Sequence, residues 1–154
     1  MLLLMFRADG NDYAIDARRV VEVVPRVSVR PIPHAPDYLL GLLSYRGRVA
    51  PVIDFGRLSG GTTSALALNT RVVIVELEPE QGRARLVGLV AEDVSRLVNV
   101  DAARFDAPSM ALDEAPYLGA VLQLESGLVQ LVATEHLLSD RMRDALFGAA
   151  ERSG

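Results

Sequence analysis

The sequence predicts an all-β chain, built as two small barrels that share an apolar interface. Two observations carry that prediction. Short runs of Val, Leu and Ile bracket glycine-containing turns along most of the 154 residues, and such runs read as strands joined by tight hairpins. The same order of features also occurs twice. Small units of short strands close most readily into barrels, because closure removes exposed strand edges. Neither unit alone buries a large core, so the two are expected to lean on each other within one domain spanning 1–154.

Taken in order, "LLLMFRADGNDYAI" places apolar runs on both sides of Asp9-Gly10-Asn11 and predicts a hairpin. In "DARRVVEVV", Val20, Val23 and Val24 follow the candidate N-cap Asp16 at helical spacing, which predicts one or two helical turns. "RVSVRPIP" alternates, with Val27 and Val29 on one face, and predicts a strand ended by Pro31, Pro33 and Pro36. "GLLSYRGRVAPVIDFGRL" is a second hairpin around Arg46-Gly47. Residues 59–69 are small and polar and read as a linker. "RVVIVEL" and "ARLVGLVA" predict a third hairpin across "EPEQG", and Val94, Leu97 and Val98 again show helical spacing. "GAVLQL" and "GLVQLVA" predict the last hairpin, around Glu125-Ser126-Gly127. From Ser139 the period turns helical through Met142, Leu146 and Phe147, giving a C-terminal helix over about 139–150.

The repeat runs from about 1–58 to 70–138. Ile15, Val20, Val23 and Val24 match Leu89, Val94, Leu97 and Val98 at one constant offset. "APDYLLG", ending at Gly41, resembles "APYLG", ending at Gly119. Gly47, Val49, Val52 and Leu58 match Gly127, Val129, Val132 and Leu138 at a second constant offset. On this alignment the turn glycine recurs, whereas Arg46 corresponds to Ser126 and Asp54 to Thr134. Arg46 is therefore not a requirement of the hairpin.

Composition narrows the function classes. With no cysteine there is no disulfide, thiolate metal site or cysteine nucleophile. A net charge of −4, without a basic run interleaved with aromatics, argues against a nucleic-acid partner. Every basic residue is Arg, which is read as the bias of a GC-rich gene rather than as anion recognition. "MLLLMF" lacks the features of a signal peptide, and no apolar run reaches the ~20 residues that span a bilayer. A cytoplasmic location is expected. His34 and His136 are isolated, no serine sits in a Gly-x-Ser-x-Gly elbow, and "SGG" lacks the lysine of a phosphate loop. Asp16, Asp54, Glu92 and Asp93 are the candidate acid–base carboxylates, with N-capping the simpler role for Asp16 and Asp54. The pattern favours a binding module. The alternative is a small-barrel ligand-binding or enzymatic protein using a carboxylate/His pocket, and an RNA-binding barrel is a third reading.

Four segments, "YAIDARRVVEVV", "IPHAPDYLLGLLSYRGRVAPVIDF", "VGLVAEDVSRLV" and "APYLGAVLQL", occur in the order found in CheW-like proteins, the chemotaxis coupling adaptors of bacteria. The resemblance covers about residues 3–138. It implies two five-stranded, Src-homology-3-like β-barrels around a shared hydrophobic core, with no enzymatic activity, cofactor or metal. It also implies an adaptor that holds a CheA-type histidine kinase against the cytoplasmic tips of methyl-accepting chemoreceptors. The family's receptor-contacting Asn-x-Arg-Gly motif reads here as Ser44-Tyr45-Arg46-Gly47, with Ser in place of Asn and Tyr in place of the usual leucine. Glu22, with Val20 beside it in "VVEVV", falls on a second receptor-linked position, and Glu92 replaces a usual aspartate. Gly41, Gly119, Gly127 and Asp54 are expected to serve as turn and cap residues. The opening "MLLLMFRADG", the "YRGR" corner and the short tail most resemble adaptors of alternative, surface-sensing Wsp-type systems whose output is cyclic-di-GMP. Kinase contact is expected on exposed apolar strands.

Overall fold

The computed structural model describes residues 1–25, 28–61, 70–80, 83–101, 105–106 and 115–148. Ten strands dominate it: β1 (Leu2–Ala8), β2 (Asn11–Asp16), β3 (Val20–Pro25), β4 (Leu39–Tyr45), β5 (Arg48–Asp54), β6 (Arg71–Glu80), β7 (Arg83–Asn99), β8 (Phe105–Asp106), β9 (Leu118–Leu124) and β10 (Gly127–Val132). Among the described residues there are also two short helices, α1 (Phe55–Leu58) and α2 (Asp140–Arg143), and 3-10 turns at Ala17–Arg19 and Thr134–His136, and α2 continues into a wider turn over Asp144–Gly148. The all-β class is as predicted.

All four hairpins form where glycine turns were read. Ala8 pairs with Asn11 across Asp9-Gly10, and both turn residues have positive φ, at 50° and 79°. That geometry matches the right-handed twist of the flanking strands, which explains the Asp-Gly pair. β6 and β7 pair from Arg71↔Ala91 to Glu80↔Arg83, and β9 and β10 pair across Glu125-Ser126.

Two helical expectations are corrected. Asp16 does cap a single 3-10 turn at Ala17–Arg19, its carboxylate accepting from the Arg18 backbone N–H at 3.0 Å. Val20, Val23 and Val24, however, lie on strand β3, whose residues alternate half-buried and exposed. Val94, Leu97 and Val98 likewise extend β7 rather than form a helix. A spacing of four fits either template, and Val23, three residues from Val20, turns to the opposite, exposed face of the strand. The branched Cβ of valine favours the pleated surface, and both segments find a partner strand, β6 for β3 and β1 for the end of β7. The strand read in "RVSVRPIP" is a single bridge, Arg30↔Leu42, with residues 26–27 outside the described set.

β7 organises the fold. Its first part lies between β6 and the parallel strand β5, giving the path β4-β5-β7-β6-β3. Its second part pairs with β1, continuing β1-β2-β10-β9-β8 with β2 and β10 parallel. One 17-residue strand thus belongs to both units, and each unit draws strands from both halves of the chain.

The apolar interior has three parts. Leu43, Ala50, Val52, Val72 and Ile74 fill the first unit, and Leu3, Met5, Ala14, Leu122 and Val129 fill the second. Between them lies the largest cluster, centred on Phe6, Tyr13, Phe55 and Tyr117. Phe55 is fully buried and meets Phe6, Tyr13 and Tyr117 edge-on, at centroid distances of 5.2, 4.7 and 5.8 Å. Met142, Leu146 and Phe147 of the C-terminal segment pack on the same cluster, giving the predicted helical face its partner. Residues 62–69 of the linker and 149–150 of the predicted helix lie outside the described residues.

Candidate functional site

The β4–β5 corner is a two-residue turn in which Arg46 and Gly47 both adopt positive φ, 48° and 78°. Gly47 suits that conformation, and a Cβ there would meet nothing within 4 Å, so its requirement is purely conformational. Arg46 does not suit it. A left-handed conformation costs a non-glycine residue about 1–2 kcal/mol, and Asn, Asp or Gly would fill the position at lower cost. The arginine is held against the local backbone preference.

Its side chain is largely exposed yet has partners. Nη2 of Arg46 donates to Glu22 Oε1 at 3.2 Å and approaches Oε2 at 3.4 Å, and the guanidinium carbon lies 5.3 Å from the Tyr45 ring centroid. The Tyr45 hydroxyl donates to the same carboxylate, at 2.5 Å from Glu22 Oε2. That hydrogen bond raises the Tyr45 pKa above its ordinary value, because phenolate formation would both break it and face the carboxylate. Glu22 and the Tyr45-Arg46 pair, predicted from two separate segments of the sequence, therefore form one cluster.

The elements explain the meeting. β3 and β4 are the two ends of the first unit's strand path, and the chain after β3 returns to β4 at Arg30↔Leu42. Glu22 faces the same side of β3 as Val20 and Val24, with Val20 against the shared core and Val24 against the first unit's interior. The trio bridges the seam between the path ends. Gly41 makes the return possible: at φ 146°, a Cβ there would lie 2.0 Å from the Arg30 carbonyl oxygen. Ser44 is exposed and pairs with Val49.

The remaining candidates lie apart from this cluster. Asp54 is fully buried and its Oδ1 accepts from Gly56 N–H at 3.0 Å, capping α1. Asp16 is engaged by Arg18, whose guanidinium holds its carboxyl below the usual range. His34 and His136 are exposed, and Glu92 and Asp93 lie along β7, Asp93 with φ 50°. Among the described residues no group of three or more His, Cys, Asp or Glu is placed to hold a metal ion. A Cβ at Gly119 would lie 3.1 Å from the Leu131 carbonyl oxygen, and Gly127 has φ 124°. The structure also shifts one equivalence. Leu124 and Gly127 flank their turn as Tyr45 and Arg48 flank theirs, so Arg46 corresponds to Glu125 rather than Ser126. Sequence alone does not show the Tyr45–Glu22 bond, whose one visible signal is a hydroxyl-bearing residue where the resemblance implies leucine.

Residues 2–142 match the family model described as a CheW-like domain. The chain belongs to the CheW-like family. Among its relatives, a chemotaxis protein CheW of Rhizobium meliloti is 27% identical over 145 residues, covering 93% of this chain and 90% of that protein. A chemotaxis protein CheW of Klebsiella aerogenes is 29% identical over 138 residues, covering 88% and 80%. In fold, the chain is similar to the crystal structure of the scaffolding protein TtCheW from Thermoanaerobacter tengcongensis, with TM-score 0.76 and 24% identity over 90% of this chain and 87% of that one. The CheW-like match runs through both units and includes the Arg46 corner.

Proposed function

We propose that this chain is a non-catalytic chemosensory adaptor that couples methyl-accepting receptors to a CheA-type histidine kinase. The observation that carries this reading is the cluster at the first unit's seam. An arginine sits at a turn position that disfavours it, ordered by Glu22 and Tyr45, yet its side chain remains 73% exposed. A preordered, exposed guanidinium suits a partner with carboxylates or carbonyls, because its several donors fix register and little side-chain entropy is lost on binding. Receptor tips are helical hairpins, and the half-buried Val20, on the same side of β3 as Glu22, offers apolar surface to a helix face. Recruitment to receptor arrays at the membrane follows from that contact. Among the described residues no helix is long and apolar enough to cross a membrane.

Reconstitution tests the reading. With purified receptor and kinase, adding this chain should raise kinase autophosphorylation above that of kinase and receptor alone. No increase at saturating chain would reject the coupling role. Ser44 and Tyr45, in place of the usual Asn and Leu, favour a receptor of an alternative, surface-sensing pathway over a flagellar one. Selective stimulation by receptors encoded beside a cyclic-di-GMP-forming regulator tests that finer assignment.

A further inference from the structure

The apolar face that carries Val20 runs on beyond β3. Val20 pairs with Val75 and Val75 with Val87, and all three lie against the shared core. β3 begins at Val20, whereas β6 continues to Glu80, so Leu77 lies past the last β3 partner on the same face as Val75. Leu77 is nonetheless buried. The C-terminal segment lies over this end of the sheet. The Phe147 ring centroid is 5.2 Å from the guanidinium carbon of Arg85, the residue paired with Leu77. Met142, Leu146 and Phe147 all join the cluster that holds Val20, Val75 and Leu77.

This is an amphipathic turn laid on an apolar strip. Met142 and Leu146 stand four residues apart with Phe147 beside them, while Arg141, Asp144 and Ala145 face outward. The hold is light. All three anchors are only half-buried, and α2 lasts four residues before it widens over Asp144–Gly148. Arg143 donates to the Glu135 carbonyl, and the Glu135 carboxylate lies 3.8 Å from Arg19, the neighbour of Val20. Arg143 Nε is buried with no hydrogen-bond partner among the described residues, which opposes the seated state. The match to the CheW-like domain ends at residue 142, so Leu146 and Phe147 lie outside it.

We propose that the C-terminal segment is an autoinhibitory strap, seated on the strip beside Val20 that a receptor helix needs and displaced when that helix docks. The proposal rests on the receptor-coupling reading above. The strap itself shows what the strip accepts, an amphipathic helix with apolar residues at four-residue spacing. Exchange replaces Met142, Leu146 and Phe147 by the apolar face of the incoming helix and returns Arg143 Nε to water. The Glu22–Arg46 cluster is untouched and fixes register. Because the strap is tethered, receptor affinity is reduced by the fraction of chains in which it is seated.

The chain has no cysteine, so a single spin label at Ala145→Cys, exposed on the strap, reports strap mobility in the full chain. The label should be immobile in the otherwise unchanged chain and mobile when Phe147→Ala removes the ring over Arg85. It should also become mobile when membranes carrying the receptor are added to the otherwise unchanged chain. In co-sedimentation, Phe147→Ala should bind receptor about 3- to 10-fold more tightly than wild type, and Phe147→Tyr, which keeps the ring, like wild type. A merely structural Phe147 predicts equal or weaker binding instead. A label already mobile without receptor, a label still immobile with receptor bound, or a Phe147→Ala chain that binds no more tightly would overturn the strap and leave the receptor contact standing. Folded wild type and Phe147→Ala that both fail to bind receptor would overturn the coupling reading, and the competition with it.

Discussion

The Tyr45 hydroxyl lies 2.5 Å from Glu22 Oε2, joining strands that stand at opposite ends of the first unit's path. Through that bond Glu22 is fixed from one side while Arg46 engages it from the other. A tyrosine at the β4–β5 corner thus orders the arginine beside it.

Tyr45→Phe removes the hydroxyl and keeps the ring under the guanidinium. Receptor affinity should fall by about 3- to 10-fold, the worth of one hydrogen bond, while the thermal midpoint stays near wild type. Titration calorimetry or co-sedimentation measures the first, and a melting curve the second. Unchanged affinity would mean that Arg46 needs no such ordering.

Alkaline pH should destabilise the chain through its tyrosines. Tyr13 and Tyr117 have pKa values raised mainly by burial, and Tyr45 by its bond to Glu22, all from an ordinary 10.0. Groups whose folded pKa is raised contribute stability that is complete below the unfolded value and is lost as pH rises through the folded one. Stability should therefore decline above about pH 10, and phenolate absorbance should rise later in the native chain than in urea. Simultaneous titration in both states would contradict this.

Gly41 and Gly47 both have positive φ but should respond differently to alanine. At Gly41 the new methyl would collide with the Arg30 carbonyl, so Gly41→Ala should cost upwards of about 3 kcal/mol or prevent folding. Gly47→Ala meets open space and should cost about 1 kcal/mol. Urea unfolding curves of the two variants provide the comparison.

Phe55→Ala should cost about 3–5 kcal/mol, since the ring is fully buried among three other aromatics between the units. Because β7 and this cluster belong to both units, unfolding should remain a single transition at a lower midpoint. Two separated transitions in calorimetry would show that the units are not coupled through Phe55.

Much of this molecule is legible in its sequence, and the exceptions have physical causes. Glycine turns mark the hairpins because positive φ is a local property, visible in Asp9-Gly10 and Arg46-Gly47. Val20–Val24 and Val94–Val98 mislead because a spacing of four residues fits either template, and only the neighbouring strands decide it. The 17-residue reach of β7 across both units is a property of pairing, with no local signal. At the site, Arg46, Tyr45 and Glu22 are each visible in the sequence, while their convergence depends on which strands end the path. Sequence offsets also misalign the last turn by one residue. That slip hides the opposition between Arg46 and Glu125, which the pairing of Leu124 with Gly127 reveals.

Arg46, on this account, is ordered for a partner outside the fold. Co-sedimentation of Arg46→Glu with membranes carrying the cognate chemoreceptor, beside a kinase pull-down, tests this most directly. A folded variant that loses receptor binding by about tenfold or more, with kinase binding at the wild-type level, is the predicted result. Receptor binding equal to that of wild type would contradict the account.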